Sequence, residues 1–191
     1  MMFVTALHHL VVGLVAGSGV IMGVCAILTW LSTYITNLES SKTTLDRAAY
    51  VASIFTLVVI PLAIISGYYS STNSGGAIFY NKFIFSGIAF GFSASYFIGR
   101  FRFGPELWRY SSLANLQMFS ALFALTSIII LGSIGSKITL GESTLDILPF
   151  WPDFMNSIVI NQWFSLILAI FGLISVVISL RSSSMKFYLN D

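Results

Sequence analysis

The sequence is poor in charge. Its 191 residues include nine Lys or Arg and seven Asp or Glu, so only 8% are charged, whereas soluble domains carry about 25%. Such a chain cannot cover a folded surface with groups that water solvates. The same shortage excludes most soluble enzymes, nucleic-acid-binding proteins and disordered tails. The mean hydropathy of +0.90 and the long apolar runs indicate an integral membrane protein instead.

Cysteine and histidine are almost as scarce. Cys25 is the single cysteine and cannot form an internal disulfide, and His8 and His9 are the only histidines. Adjacent residues on a helix point about 100° apart, so these two histidines cannot both bind one metal in regular helical geometry. We therefore expect no metal site within this chain and no resident cofactor.

Ionisable residues are missing from the middle of every apolar segment. Such residues are costly at that depth and usually mark ion paths, proton relays or substrate sites. Their absence argues against a proton pump, a charge-coupled transporter and a voltage sensor. The sequence also has no G-x-S-x-G, G-x-G-x-x-G or P-loop motif. We therefore expect no catalytic residues and a protein that is not an enzyme.

What the sequence does contain is a series of long apolar stretches. A bilayer core about 30 Å thick needs about 20 apolar residues per helix, and five stretches reach that length. The sequence therefore predicts an all-α fold, one membrane domain over residues 1–191 with five transmembrane helices. We expect these helices at about 7–34, 48–69, 82–99, 113–135 and 157–180.

The basic residues between these segments predict the orientation. Seven fall on one side of the predicted bundle and two on the other. Because cytoplasmic loops are enriched in Lys and Arg, we expect the N-terminus outside and the C-terminus in the cytoplasm of a multi-pass cell-membrane protein. The first group is Lys42, Arg47, Arg100, Arg102, Arg109, Arg181 and Lys186, and the second is Lys82 and Lys137.

Two loops have the spacing of a capping box, in which side chains bond the free N–H groups at a helix start. The spacing from Thr43 to Asp46 predicts the cap of the second helix, and that from Ser143 to Asp146 predicts a short helix in an outer loop.

Pro61 lies in the middle of the second segment, where a proline removes a backbone hydrogen bond. We expect a kink there.

Small residues recur every four positions in two of the predicted helices. Such spacing lets helix backbones approach closely in a membrane, either inside one bundle or against a partner subunit. We expect these residues to form helix-packing or partner interfaces. They are Gly13 and Gly17, Gly19 and Gly23, and the stripe Gly87, Gly91, Ser95 and Gly99.

A sequence of short motifs carries a family resemblance. His8-His9 opens the first helix, Ser66-Gly67-Tyr68-Tyr69 closes the second, and residues 100–108 read RFRFGPELW. Residues 132–135 read GSIG, and residues 141–146 read GESTLD. Over residues 7–148 this order resembles small predicted membrane proteins, common in archaea, that are similar to b-type cytochrome membrane domains. That resemblance implies one b-type haem, with His8 or His9 as an axial ligand.

The haem needs a second ligand, for which Met22 or Met118 can be proposed. Family members carry a histidine after the fourth helix, where this chain reads Gly135-Ser136-Lys137-Ile138. A redox protein with one haem is therefore one alternative. A carrier for a neutral or lipid-like substrate, with a hinge at Pro61, is another.

Our leading hypothesis is a non-catalytic accessory subunit of a larger membrane complex. It rests on the small-residue stripes and on the missing ionisable residues at half-depth. We expect other integral membrane subunits and lipid as partners, and no nucleic acid. In general character the chain resembles the small helical subunits of a copper membrane enzyme, the archaeal ammonia monooxygenase.

Overall fold

The computed structural model describes residues 2–70, 76–149, 152–154, 156–167 and 170 of the chain. Four long helices dominate them: α1 (Met2–Leu31), α2 (Lys42–Ser70), α3 (Ala77–Phe103) and α4 (Ser111–Leu140). Three short 3-10 helices lie in the connections, at Thr36–Ser41, Pro105–Arg109 and Thr144–Ile147. These described residues contain no β-strand, so the predicted all-α class is confirmed.

Each of the four helices is long and apolar enough to cross a membrane. The shortest, α3, has 27 residues and so measures about 40 Å, more than the roughly 30 Å of a hydrocarbon core. The first four predicted segments correspond to α1–α4. The fifth, 157–180, lies largely outside the described residues, of which 162–167 are helical.

The ends of α3 and α4 are set by glycines, and this is why both helices run past the predicted segments 82–99 and 113–135. Gly104 follows α3 with φ 66°, and Gly141 follows α4 with φ 81°. Positive φ is favourable for glycine and allows the backbone to leave a helix. The apolar windows stop earlier because the last turns carry polar and basic residues that remain helical.

The start of α2 contradicts one of the two capping-box predictions. The helix begins at Lys42, directly after the 3-10 helix, so Thr43 lies inside it and does not precede it. The Asp46 carboxylate is also directed elsewhere, since it accepts hydrogen bonds from Arg100 and Trp108. A buried ion pair across the bundle has replaced the expected local cap.

The helices form an up-and-down bundle. α1 packs against α2 and α4, and α3 packs against α4 and α2, so each helix contacts the two beside it in a ring. Side-chain pairs fix the antiparallel register of the first hairpin: Ser18 with Thr56 near the middle, and His8 with Ser66 towards one end. α2 continues through Pro61 to Ser70 as one helix.

The interior is built from small residues at one end and branched residues further along. The first cluster surrounds Met22 and Tyr96 and includes six buried alanines, and the second joins Val11, Val15 and Ile60 to Ile128. Many large apolar side chains point outward, among them Phe55, Val58 and Leu116. Such an outward surface suits lipid, in which small residues inside let the helices approach closely.

Candidate functional site

The most polar point of the bundle interior is Asp46, in the first turns of α2. Asp46 is 3% exposed, and its carboxylate forms an ion pair with Arg100 of α3, whose side chain is 13% exposed. Arg100 Nε donates to Oδ1 and Oδ2 at 2.8 and 3.0 Å, and Nη2 donates to Oδ2 at 2.6 Å. Trp108 Nε1 donates to Oδ1 at 2.7 Å.

The chain places these three groups together through one short connection. α3 carries Arg100 in its last turn, Gly104 leaves the helix, and the 3-10 helix Pro105–Arg109 turns Trp108 back into the bundle. Arg100 also lies over the Tyr50 ring, 5.3 Å from Cζ to the ring centroid. An arginine over an aromatic face gains a cation–π attraction in addition to its ion pair.

Two further hydrogen bonds join the helices at this same end. Trp30 Nε1 of α1 donates to Asn115 Oδ1 of α4 at 2.8 Å, and Gln117 Nε2 of α4 donates to the Tyr96 carbonyl of α3 at 2.6 Å. We call this part of the bundle the Asp46 end. The amides Asn115 and Gln117 tie neighbouring helices together here.

The chemistry available to Asp46 is limited by its partners. A carboxylate offers about four lone-pair sites, and here both oxygens already accept two N–H contacts each. Three N–H groups, those of Arg100 Nε, Arg100 Nη2 and Trp108 Nε1, thus hold the carboxylate in place. The cluster is therefore a structural brace across α2, α3 and the 3-10 helix.

Sequence reasoning missed this brace. The sequence analysis assigned Arg100 to a topological role and Asp46 to a cap. One signal was present: an acid at the start of the second helix and an arginine at the end of the third must lie at the same level in an antiparallel pair. Charges at that depth are stable only when paired and hydrogen-bonded.

His8 lies at the opposite end, which we call the His8 end. Its Nδ1 is 3.1 Å from Ser66 Oγ, and Ser66 Oγ donates to the Ala63 carbonyl at 3.3 Å. The Ser66 hydroxyl therefore links the His8 ring of α1 to the backbone of α2. Gly67 makes room for this ring, since a Cβ there would be 2.9 Å from His8 Cε1. His9 is exposed beside it.

The structure separates the proposed haem ligands from one another. Met22 lies fourteen residues beyond His8 on the same helix, about 21 Å along the axis, so one iron cannot bind both. Met118 is near the start of α4 at the Asp46 end, whereas His8 is at the other end of the bundle. Among the described residues no three His, Cys, Asp or Glu side chains gather as a metal-binding group.

Asn81 of α3 holds the described part of the chain after α4 against the His8 end. Its Nδ2 donates to the carbonyls of Phe154 and Ser157 at 3.1 and 2.8 Å, and its Oδ1 accepts from Val159 N–H at 3.0 Å. The amide is buried and uses both its oxygen and its nitrogen. This residue anchors the chain where the fifth predicted segment begins.

The second capping-box prediction is confirmed. Ser143 caps the 3-10 helix Thr144–Ile147, and the Asp146 carboxylate accepts from Ser143 N–H at 2.9 Å. Asp146 also forms an ion pair with Lys137 at the end of α4. The hydrogen bond from Lys137, followed by that from the Ser143 backbone, lowers the pKa of the Asp146 carboxyl below its usual range.

Side chains of α4 occupy the space beside three of the predicted packing glycines. A Cβ on Gly19 would collide with Ile128 Cδ1, one on Gly23 would be 2.7 Å from Leu125 Cβ, and one on Gly99 would be 2.5 Å from Gln117 Oε1. Ser95 lies beside them, with its Oγ 3.2 Å from Ser120 Oγ. At these positions helices of the bundle approach each other closely.

The other four predicted glycines are open. A Cβ added at Gly13, Gly17, Gly87 or Gly91 would meet no atom of the described residues within 4 Å, and all four are exposed. Gly87 and Gly91 form an outward face on α3, and the exposed rings of Phe83 and Phe90 flank them. Gly13 and Gly17 open onto a groove between α1 and α2.

Comparisons with known proteins add no relative to this geometry: no family model, curated protein or solved structure matches the chain. The resemblance to small archaeal membrane proteins stays a prediction.

Proposed function

We propose that the protein is a non-catalytic accessory subunit of a larger complex in the cell membrane, with its N-terminus outside and its C-terminus in the cytoplasm. One observation carries this proposal: the outward face of α3 at Gly87 and Gly91, where no side chain of the described residues packs on two exposed glycines one helical turn apart. A partner helix can approach the α3 backbone closely at such a face.

The other glycines on the same two helices support this interpretation. Gly19, Gly23 and Gly99 receive side chains of α4, so this fold uses small residues for close packing where a partner helix is present. Gly87 and Gly91 have the same spacing, but no described residue fills them. Gly87 and Gly91 therefore leave a stretch of α3 backbone that a further helix can approach closely.

The polar interior is consistent with a subunit that performs no chemistry. Both oxygens of Asp46 are occupied, Asn81 is saturated by the backbone, and His8 lies far from the proposed second haem ligands. A copper membrane enzyme such as the archaeal ammonia monooxygenase remains our example of the complex, on general resemblance alone.

The substitution Gly91→Leu tests the α3 face. We expect it to lower the yield of stoichiometric companion proteins by about tenfold when the tagged chain is purified from its native membrane, equivalent to about 1.4 kcal/mol of binding. Gly132→Leu is the matched control, because Gly132 on α4 is also exposed and a Cβ there also meets no described atom. The measurement is quantitative mass spectrometry of the purified complex.

Two results would contradict the proposal. One is a wild-type chain that purifies with no companion at a fixed ratio. The other comes from Gly91→Cys in a Cys25→Ser background, with a photo-reactive cross-linker attached to the new thiol. A cross-link to another segment of the same chain, with none to a companion protein, would assign the α3 face to internal packing.

A further inference from the structure

A groove lies between α1 and α2 on the outside of the bundle. It has a volume of about 410 Å³, is open along its side, and is lined by Gly13, Gly17 and Ile21 of α1 and by Ala48, Val51 and Phe55 of α2. The volume falls in the range of about 300–1,000 Å³ that is typical of ligand pockets. It exists because two glycines of α1 face residues of α2 without side chains to fill the gap.

The walls of this groove have no polar group to offer a ligand. Ser18 contributes the only side-chain hydroxyl of the lining, and its Oγ donates to the Leu14 carbonyl at 2.8 Å and lies 3.0 Å from Thr56 Oγ1. Thr56 Oγ1 in turn lies 2.9 Å from the Ala52 carbonyl. A ligand that enters the groove meets apolar surface, so the occupant should be a hydrocarbon chain.

The length of the groove matches one leaflet of a bilayer. Because Ser18 lies level with Thr56 in the antiparallel pair, Gly13 lies level with Pro61, and the groove runs from there to Ala48, about 20 Å along the bundle. One leaflet of a bilayer, headgroups included, is about 20 Å thick. One lipid of a single leaflet therefore fits along the groove, on the side of the membrane where α2 begins.

Two basic residues, Lys42 and Arg47, lie at the end of the groove nearest the start of α2. Arg47 is exposed and precedes Val51 by four residues, so the two share a face of α2. Neither Arg47 nor Lys42 forms an ion pair with any described residue. Asp46 is neutralised by Arg100, and the exposed Glu39 leaves this stretch with a net charge of +1.

We infer that this groove binds an anionic phospholipid, with one acyl chain along Gly13 and Gly17 and the phosphate at Arg47. Basic residues at a membrane interface attract anionic headgroups, and long Lys and Arg side chains reach the headgroup from a helix end. The inference goes beyond the accessory-subunit proposal and uses a different face from Gly87 and Gly91, so either can fail alone.

The experiment is native mass spectrometry of the full chain in detergent, with phosphatidylglycerol or phosphatidylcholine of identical acyl chains added. We expect one phosphatidylglycerol per chain at concentrations where phosphatidylcholine is mostly absent. Gly17→Leu should lower this occupancy about tenfold by filling the groove, and Arg47→Gln should reduce phosphatidylglycerol binding to the phosphatidylcholine level. Gly132→Leu and Arg109→Gln are the matched controls, and both should bind as the wild type does.

Gly17→Leu should fold normally because a Cβ there meets no atom of the described residues within 4 Å, and Gly13→Leu provides a second groove-filling variant. Three results would overturn the inference. Phosphatidylglycerol occupancy could survive both glycine substitutions. Arg47→Gln and Arg109→Gln could reduce it equally, which indicates diffuse charge attraction. A companion protein could be lost with Gly17→Leu while lipid binding stays unchanged, which assigns the groove to a protein.

Discussion

The two ends of the bundle hold their charged groups in different ways. At the Asp46 end, a buried carboxylate meets an arginine and an indole from two other elements. At the His8 end, the Lys137–Asp146 ion pair is partly exposed, and the buried polar group is the neutral amide of Asn81. Because a buried charge that loses its partner costs much more than an exposed one, single substitutions of charged residues should be most destabilising at the Asp46 end.

The largest expected effect comes from breaking that brace. Asp46→Ala leaves Arg100 buried without its carboxylate, and removing one partner of a buried pair costs about 3–5 kcal/mol. His8→Ala, at the other end, removes one part-buried hydrogen bond, which contributes about 1 kcal/mol. Thermal unfolding in detergent, followed by circular dichroism, compares the two. Equal effects on the unfolding free energy would remove the contrast between the ends.

A smaller effect is expected from filling a closed glycine. Gly23→Leu places a side chain where even a Cβ would be 2.7 Å from Leu125, and overpacking of this kind costs about 1–3 kcal/mol. Gly13→Leu on the same helix is the control. A Cβ at Gly13 meets no described atom within 4 Å, so the unfolding free energy of this variant should stay within about 0.5 kcal/mol of the wild type. A similar loss of unfolding free energy in both variants would show that α1 accepts a larger side chain at neither position. The space beside the glycine would then not explain the effect.

The smallest effect concerns pH at the His8 end. Because the folded pKa of Asp146 is lowered by Lys137, the ion pair stabilises the Thr144–Ile147 helix above the usual carboxyl range, and this stabilisation is lost as the pH falls through the lowered pKa. Lys137→Gln should move the loss of amide protection in residues 143–148 to higher pH, as measured by hydrogen exchange. Lys82→Gln, on α3, is the control and should leave the transition where it is.

The sequence predicted the elements well and their long-range contacts poorly. Apolar length alone gave four helices that match α1–α4, because a membrane segment must be long and apolar wherever it packs. The Ser143–Asp146 cap was also predictable, since its partners lie three residues apart. The exact helix ends were not, because Gly104 and Gly141 set them after the apolar runs had stopped.

The contacts of Asp46 and the open glycines show why the long-range packing could not be predicted from the sequence. Asp46 and Trp108 are 62 residues apart, and nothing local in either segment indicates that they meet. Gly13 and Gly17 have the same spacing as Gly19 and Gly23, yet one pair is open and the other is filled. The spacing predicts a surface for close packing, and only the arrangement of the helices determines which surfaces the bundle itself uses.

The position of Asp46 in the chain also bears on biosynthesis. The ribosome makes this carboxylate 54 residues before Arg100, so the first helical hairpin enters the membrane while its acid still lacks a counter-ion. Until the third helix has been translated, that acid must stay hydrated at the interface. We therefore expect the two helical hairpins to dock only after Arg100 has been translated and can neutralise this acid.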